Sequence, residues 1–399
     1  MKIKNLIKKE TARQKKVINL VPSENYVSKD VLAALGSPLT NKYAEGKSRQ
    51  RYYFGNEVVD QIEDGVKELV YKAFKISPKK YDVNVQPYSG SIANLATYLE
   101  AVGPGGKILA MSLEHGGHLT HGHPVSWSGK LFDFKHYGVG RDGFIDYSEV
   151  SKIAKRFRPK LIVCGASAYP RKIDFKKFRQ IADSVVYPEQ SRRGALLMAD
   201  IAHIAGLIAG GVHPSPFPYA DIVTTTTQKT LRGPRGAIII AKRQAKLSTS
   251  QVDNLSEKID KAVFPGLQGG PQMHTIAAIG VCLEEALKPS FKKYAKQTVA
   301  NAKALATELK KLGFKIISGG TDNHLMLVDV TPLGLTGKVA GERLERAGII
   351  VNKNMIPYDT RKPWDPSGIR LGTPVVTTQG MKEKDMRKIA QKIYKILTK

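Results

Sequence analysis

Three stretches of this sequence each place a reactive side chain directly after an apolar run. Ser89-Gly90-Ser91 follows residues 83–86 and opens a helical pattern. Free backbone N–H groups and hydroxyls at a helix start form a cup for an anion such as phosphate, although the same residues also serve as an ordinary cap. Asp200 stands at the end of 195–199, in Asp200-Ile-Ala-His203. A buried carboxylate is costly unless paired, so Asp200 either meets a cation there or caps a helix. Lys229 follows a run of hydroxyls in Thr224-Thr-Thr-Thr-Gln-Lys229-Thr230. A lysine whose amine is made less basic by a sheltered, cationic setting forms a Schiff base with a carbonyl, whereas a lone lysine is more often a surface charge. Taken together, an anion cradle, a strand-end carboxylate and, 29 positions later, a strand-end amine are the attachments that pyridoxal phosphate needs: a phosphate holder, a partner for the ring nitrogen and an aldimine amine.

Such residues need a scaffold that brings them to one edge. Short apolar stretches at 83–85, 107–111, 161–164, 195–199, 222–225 and 237–241 alternate with helical patterns, which predicts a mostly parallel sheet between helices. In open sheets of this kind ligands bind beyond the carboxyl ends of the strands, where the three stretches lie. Apolar spacing at Val59, Ile62, Val66, Leu69, Val70 and Ala73 predicts a helix over 56–74 with Asn56 at its cap. From about Pro271 the texture changes to two long helices, at 271–287 and 289–312. Strands at 314–317 and 324–330 and helices near 338–347 and 382–397 then read as a smaller α+β unit. The polar stretch 187–194 reads as a surface loop.

Composition narrows the class. The 399 residues, 42% hydrophobic and 25% charged, fit an ordinary globular protein of two or three units and exclude a disordered or fibrous chain. Two cysteines, Cys164 and Cys282, exclude a disulfide scaffold and cannot supply a thiolate zinc site without several histidines; no metal is expected and a reducing compartment fits. The basic N-terminus lacks the features of a signal or transit peptide, and no apolar run approaches the roughly 20 residues of a membrane helix. A cytoplasmic location is therefore expected. The formal charge of +28 attracts polyanions, but its lysines are spread along the chain. Any nucleic-acid binding is expected to be nonspecific and to vanish at moderate salt.

The chain resembles the serine hydroxymethyltransferase family. The resemblance is carried by Pro22-Ser-Glu-Asn25, Thr40-Asn-Lys-Tyr-Ala-Glu-Gly46, Arg51-Tyr-Tyr53, Asn84-Val-Gln-Pro87 with Ser89-Gly-Ser91, and His115-Gly-Gly-His-Leu-Thr-His-Gly122. It continues through Asp200 to Gly206, Thr224 to Gly236, Phe264-Pro-Gly-Leu-Gln-Gly-Gly-Pro271, Ser318-Gly-Gly-Thr-Asp-Asn-His324, Val351-Asn-Lys-Asn354 and Ser367-Gly-Ile-Arg-Leu-Gly-Thr-Pro374. It implies an α/β, PLP-dependent transferase-like fold of the aspartate-aminotransferase type (fold type I). Residues 1–50 would form an arm serving the dimer and active site, 51–272 a large cofactor-binding domain and 273–399 a small C-terminal domain.

Carried over position by position, the resemblance implies that Lys229 holds pyridoxal 5'-phosphate as an aldimine and Asp200 pairs with its ring nitrogen, while His118 stacks on the ring. Ser89, Gly90 and Ser91 would hold the phosphate with Gly270 of a second subunit, beside Gln228. Ser167 and His203 would contact the ring oxygen. Arg370 would clamp the substrate carboxylate, with Ser23, Tyr43, Glu45 and Tyr53 completing the amino-acid site, the last three from the neighbouring subunit, and Glu45 acting as proton shuttle. Leu113, Gly117, His118, Leu119, Asn354, Lys362, Pro363 and Trp364 match folate-binding positions. The implied activity is reversible transfer of the hydroxymethyl carbon of L-serine to tetrahydrofolate, or to a modified pterin, by a homodimer or tetramer, with folate-independent retro-aldol cleavage of 3-hydroxy amino acids as a side reaction. Two other readings compete, a folate-independent aldolase and a basic RNA-binding protein with a vestigial site. The family pattern is broken by Gln228 where His is usual, Phe54 where Gly is common and Glu114 where Ala is usual, and the loop at 187–194 is longer than in relatives.

Overall fold

The computed structural model describes residues 2–187, 192–243 and 254–398. Its centre is a seven-stranded sheet in the order Tyr81–Asn84, Ala237–Lys242, Ile222–Thr226, Leu196–Asp200, Leu161–Gly165, Lys107–Met111, Asp133–Tyr137. Only Ala237–Lys242 runs against its neighbours. The other six strands therefore send their carboxyl ends to one edge. Six of the seven strands coincide with apolar stretches of the sequence; the seventh, Asp133–Tyr137, is an edge strand whose residues are mostly exposed, so it left no apolar run to read.

The strands are buried because both faces are covered. On one side lie Ile108, Ala110, Leu161, Val163, Met198, Ile222 and Ile239 with the helix Gly90–Val102. On the other, Leu109, Ile162, Cys164, Leu197, Ala199, Val223, Ile238 and Ile240 join the helices Glu57–Phe74 and Met273–Leu287. Alternate residues of one strand thus enter two different cores, as the period-two pleat requires.

A second core gathers Leu305, Leu309, Phe314, Met326, Val328, Leu344, Ile369, Leu371, Ile389 and Ile393. It lies on a four-stranded antiparallel sheet ordered Lys315–Ile316, Leu325–Asp329, Gly368–Gly372, Asn352–Asn354. The helix Met273–Leu287, which the change of texture assigned to this unit, packs instead in the larger core with Met273, Ile276, Ile279 and Leu283. So do Phe291, Tyr294 and Ala295 at the start of the helix Pro289–Lys311. The physical boundary falls inside that helix, because one continuous 23-residue element spans both cores.

The first 50 residues also divide. Ile3–Lys16 is a helix with no buried residue. Ile18–Asn19 then pairs in parallel with Ile349–Ile350 and carries Leu20 into the smaller core, whereas Val31 and Ala44 enter the larger one. Asn56 does stand at the cap of Glu57–Phe74, but its side chain caps nothing: it donates to the carbonyls of Tyr53 at 2.8 Å and Tyr43 at 3.3 Å. Of the loop expected at 187–194, residues 188–191 lie outside the described residues. No helix among the described residues is long and apolar enough to cross a membrane.

Candidate active site

A cavity of ≈ 410 Å³ opens at the carboxyl edge of the central sheet. Three neighbouring strand ends contribute to it: Ser167 follows Leu161–Gly165, Asp200 ends Leu196–Asp200, Thr226 ends Ile222–Thr226, and Gln228 and Lys229 come just after it. Ser89, Gly90 and Ser91 start the helix Gly90–Val102, with the Ser89 hydroxyl accepting from Ile92 N at 3.4 Å. Arg370 reaches the same cavity from the smaller sheet, beside Ser23, His118 and His203. Eleven of the site residues named from the sequence therefore meet in one place.

Lys229 is 9% exposed. Burial pushes its amine down to about 8; the Asp200 charge opposes this, while Arg370 and Arg235 add to it. A large part of the amine is thus uncharged, and so nucleophilic, in mildly alkaline water. Asp200 behaves in the opposite way. Burial works to raise its pKa, but the hydrogen bonds from His121 and Asn94 outweigh it and hold the carboxyl well below the usual range. Its Oδ2 accepts from Asn94 Nδ2 at 3.0 Å and faces His121 Nε2 at 3.2 Å, and Oδ1 accepts from Ala202 N at 3.1 Å. An anionic oxygen held this firmly suits a protonated heteroaromatic nitrogen.

Burial pushes His118 down to about 4, so its ring is neutral. Arg370 donates from Nε to Asn352 Oδ1 at 3.0 Å and from Nη1 to the Ser167 carbonyl at 2.6 Å. Among the described residues no carboxylate pairs with it. Two neutral acceptors thus aim a guanidinium whose charge is left for an anionic ligand. His203 Nδ1 lies 3.3 Å from His324 Nε2, and burial drives both imidazoles to the neutral form.

The cavity fits a phosphorylated aromatic aldehyde. Thr226 Oγ1 and Gln228 Oε1, both lining it, are buried without a hydrogen-bond partner among the described residues. Such groups are destabilising unless a ligand satisfies them. At the cradle, a Cβ on Gly90 would meet Thr226 Cγ2 at 2.7 Å, so only glycine lets the helix start sit this close to the strand.

The remaining named residues lie elsewhere. Tyr43, Glu45, Tyr53 and Gly270 do not line this cavity; they form their own cluster, with the Tyr43 and Tyr53 rings 5.3 Å apart and a Gly270 Cβ position 3.4 Å from Glu45 Cγ. Tyr43, Tyr52, Tyr53 and Phe54 are exposed there, Phe54 completely. Leu113, Gly117, Leu119, Asn354, Lys362, Pro363 and Trp364 also lie outside the cavity, Leu119 and Trp364 on the surface.

Sequence reading gave no role to Asn25, Asn94, Thr120, His121, Arg235, His324 or Asn352. Asn25, Thr120, His121, Arg235, His324 and Asn352 sit inside the motifs already quoted, and Asn94 is a polar residue in the apolar run Ile92-Ala-Asn-Leu-Ala96. Those were the available signals.

The family model described as serine hydroxymethyltransferase matches residues 1–393. A serine hydroxymethyltransferase of Methanosarcina barkeri (strain Fusaro / DSM 804) is similar to this chain, with 55% identity over 393 residues covering 98% of the chain and 90% of that protein.

Proposed function

The chain belongs to the serine hydroxymethyltransferase family, and on that premise we propose that the cavity around Lys229 is where its reaction takes place. The enzyme transfers the hydroxymethyl carbon of L-serine reversibly to tetrahydrofolate, giving glycine and 5,10-methylenetetrahydrofolate, with pyridoxal phosphate as cofactor. The observation that carries the assignment is the convergence of Lys229, Asp200, His118 and Arg370 on one cavity whose floor is Ser89-Gly90-Ser91.

When bound, pyridoxal phosphate supplies an electron sink for the bond broken in the amino acid. Lys229 Nζ is the amine that would hold the cofactor aldehyde. Ser89, Ser91 and the first N–H groups of the helix Gly90–Val102 take its phosphate, with Thr226 and Gln228 as added partners. Asp200 keeps a proton at the ring nitrogen. His118 would stack on the ring, and Ser167 and His203 would contact its oxygen; all three line the cavity. Arg370 would receive the serine carboxylate in two parallel hydrogen bonds, so orienting the substrate in the cavity.

Tyr43, Glu45, Tyr53 and Gly270 act on the cavity of a second copy, so the active unit is at least a homodimer. Their exposed aromatic cluster supports this, because a patch of Tyr52, Tyr53 and Phe54 in water is otherwise unfavourable. Glu45 then moves the proton of the serine hydroxyl. Leu113, Gly117, Leu119, Asn354 and 362–364 contact the folate. Slow folate-independent cleavage of 3-hydroxy amino acids follows from the same lysine and arginine. The free, buried cysteines support a cytoplasmic setting.

The test is the visible spectrum of the cofactor-loaded protein with glycine, before and after tetrahydrofolate. An intense long-wavelength band that needs tetrahydrofolate supports the assignment. A cofactor band indifferent to folate overturns the folate contacts, and failure to bind pyridoxal phosphate overturns the site.

A further inference from the structure

Two residues of the cavity, Asp200 and His118, are joined by a chain of side chains to which the proposed reaction gives no role; of these, Asn94 also lines the cavity. Thr224, on the strand Ile222–Thr226, donates its hydroxyl to Asn94 Oδ1 at 2.8 Å. Asn94 Nδ2 then donates twice, to Asp200 Oδ2 at 3.0 Å and to Thr120 Oγ1 at 2.9 Å. Thr120 Oγ1 in turn lies 2.8 Å from His118 Nδ1. Asn94, Thr120 and Thr224 are all buried, so water does not substitute for any of these partners.

The direction of every proton in this chain is fixed. A reversed Asn94 amide would set its oxygen against the Asp200 carboxylate and leave the Thr224 hydroxyl facing an NH₂ group, so the orientation is determined by its neighbours. Since Thr120 Oγ1 accepts from Asn94, its one proton is free to point at His118 Nδ1. The Thr120 backbone N–H faces the same nitrogen at 3.2 Å. Two donors meet Nδ1, which must therefore be an acceptor, and the ring proton sits on Nε2. On the far side, His121 Nδ1 accepts from the His118 backbone N–H at 3.2 Å, which places the His121 proton on Nε2, toward Asp200.

The geometry points to Asn94 as a positioning residue that sets the charge of two cavity groups at once, holding Asp200 as the anion and, through Thr120, His118 as the neutral Nε2–H tautomer. An amide NH₂ has only donors to give, so it favours an ionised Asp200 and a Thr120 hydroxyl turned toward His118. The pairing has a chemical purpose. A ring nitrogen kept protonated by Asp200 is opposed by a cation on the ring face, and a neutral His118 removes that opposition. This purpose rests on the reading of the cavity as the cofactor site; the hydrogen-bond chain does not.

The test is nitrogen-15 NMR of histidine-labelled protein, loaded and free of pyridoxal phosphate, with the His118 signals identified through His118→Asn. The wild type is expected to show a protonated Nε2 and a bare Nδ1 in both forms. Thr120→Val and Asn94→Ala are each expected to admit the Nδ1–H tautomer, the double variant no more than the stronger single one, and Thr120→Ser to restore the wild-type pattern. A wild-type proton on Nδ1 overturns the inference. So does an unchanged His118 tautomer in Thr120→Val, which applies even where Asn94→Ala fails to fold. Because the readout exists without cofactor, failure of the proposed function leaves it intact.

Discussion

The Asn25 side-chain amide donates to the backbone carbonyl of Lys229 at 3.0 Å, a hydrogen bond between residues 204 positions apart. The same amide donates to Tyr294 Oη at 2.8 Å, and Asn25 Oδ1 accepts from the Thr378 hydroxyl at 2.8 Å. One side chain thus ties the lysine loop to both cores. Asn25→Ala is expected to cost about 1–3 kcal/mol and to slow reloading of the cofactor-free protein. Urea denaturation and the rate of return of the cofactor band would check this; an unchanged reloading rate would remove Asn25 from the positioning of Lys229.

Lys229 also leaves a mark on stability. Burial pushes its amine down to about 8 in the folded chain, against 10.5 for an ordinary lysine in water. Between those values the unfolded chain holds a proton that the folded chain has released, so this group makes the cofactor-free protein gain stability as pH rises from about 8 to 10.5. In Lys229→Met that contribution disappears. The variant should also fold at neutral pH and carry no borohydride-reducible cofactor link by mass spectrometry. A link that persists would refute the lysine assignment.

Arg370 is aimed by Asn352 and Ser167. Replacing it with alanine should raise the serine KM by roughly 10- to 100-fold, matching the 1.5–3 kcal/mol of a charge-assisted hydrogen bond. Lysine should recover little, because a point charge cannot reproduce the fork. Steady-state kinetics with serine decide it, and a wild-type KM in either variant would sink the role.

Arg51 sits almost wholly buried between Asp60 at 2.9 Å and Glu63 at 2.7 Å, and it donates to the carbonyls of Ala44 and Gly46 that flank Glu45. Gly46 itself has φ +105°, and a Cβ there would lie 2.3 Å from the Gln50 carbonyl oxygen, so the turn behind Glu45 is tightly specified. Arg51→Ala takes one partner from the half-buried Asp60 and one from the buried Glu63, which keeps Lys67 at 2.8 Å and Gln86 at 3.2 Å, and should cost about 1–3 kcal/mol. Burial favours a protonated Glu63, but Lys67 and Arg51 outweigh it and lower its pKa. That contribution is present above the ordinary carboxylate range and is lost as pH falls through the lowered value, so the gap between wild type and variant should narrow in acid. Denaturation midpoints over a pH series would show it; a constant gap would exclude the Glu63 linkage.

If Glu45 serves the cavity of its partner, two inactive variants should rescue each other. Mixing Glu45→Gln with Lys229→Ala under conditions of subunit exchange creates one intact site in each mixed dimer. About a quarter of wild-type activity per site is expected from random pairing of an isologous dimer. Exchange confirmed by native mass spectrometry without recovered activity would place Glu45 in its own subunit's site.

Much of this protein was already determined by the order of its residues. Apolar runs of strand length placed six of seven central strands, and Asp200 and Lys229 could be assigned to their carboxyl edge because strand direction follows from alternation with helices. The motif around each residue was local and therefore readable. What the order of residues left open depends on approach in space. The edge strand Asp133–Tyr137 is mostly exposed and carried no pattern. Met273–Leu287 is apolar enough to enter either core, and only packing against Glu57–Phe74 chose one. Arg370 meets Lys229 from a separate sheet, at a strand that no periodicity announced. Hydrogen-bond direction lies furthest from the sequence. Whether Asn94 gives protons to Asp200 and Thr120, and so leaves His118 neutral, depends on which buried partners stand within about 3 Å, and only the tertiary structure sets those distances.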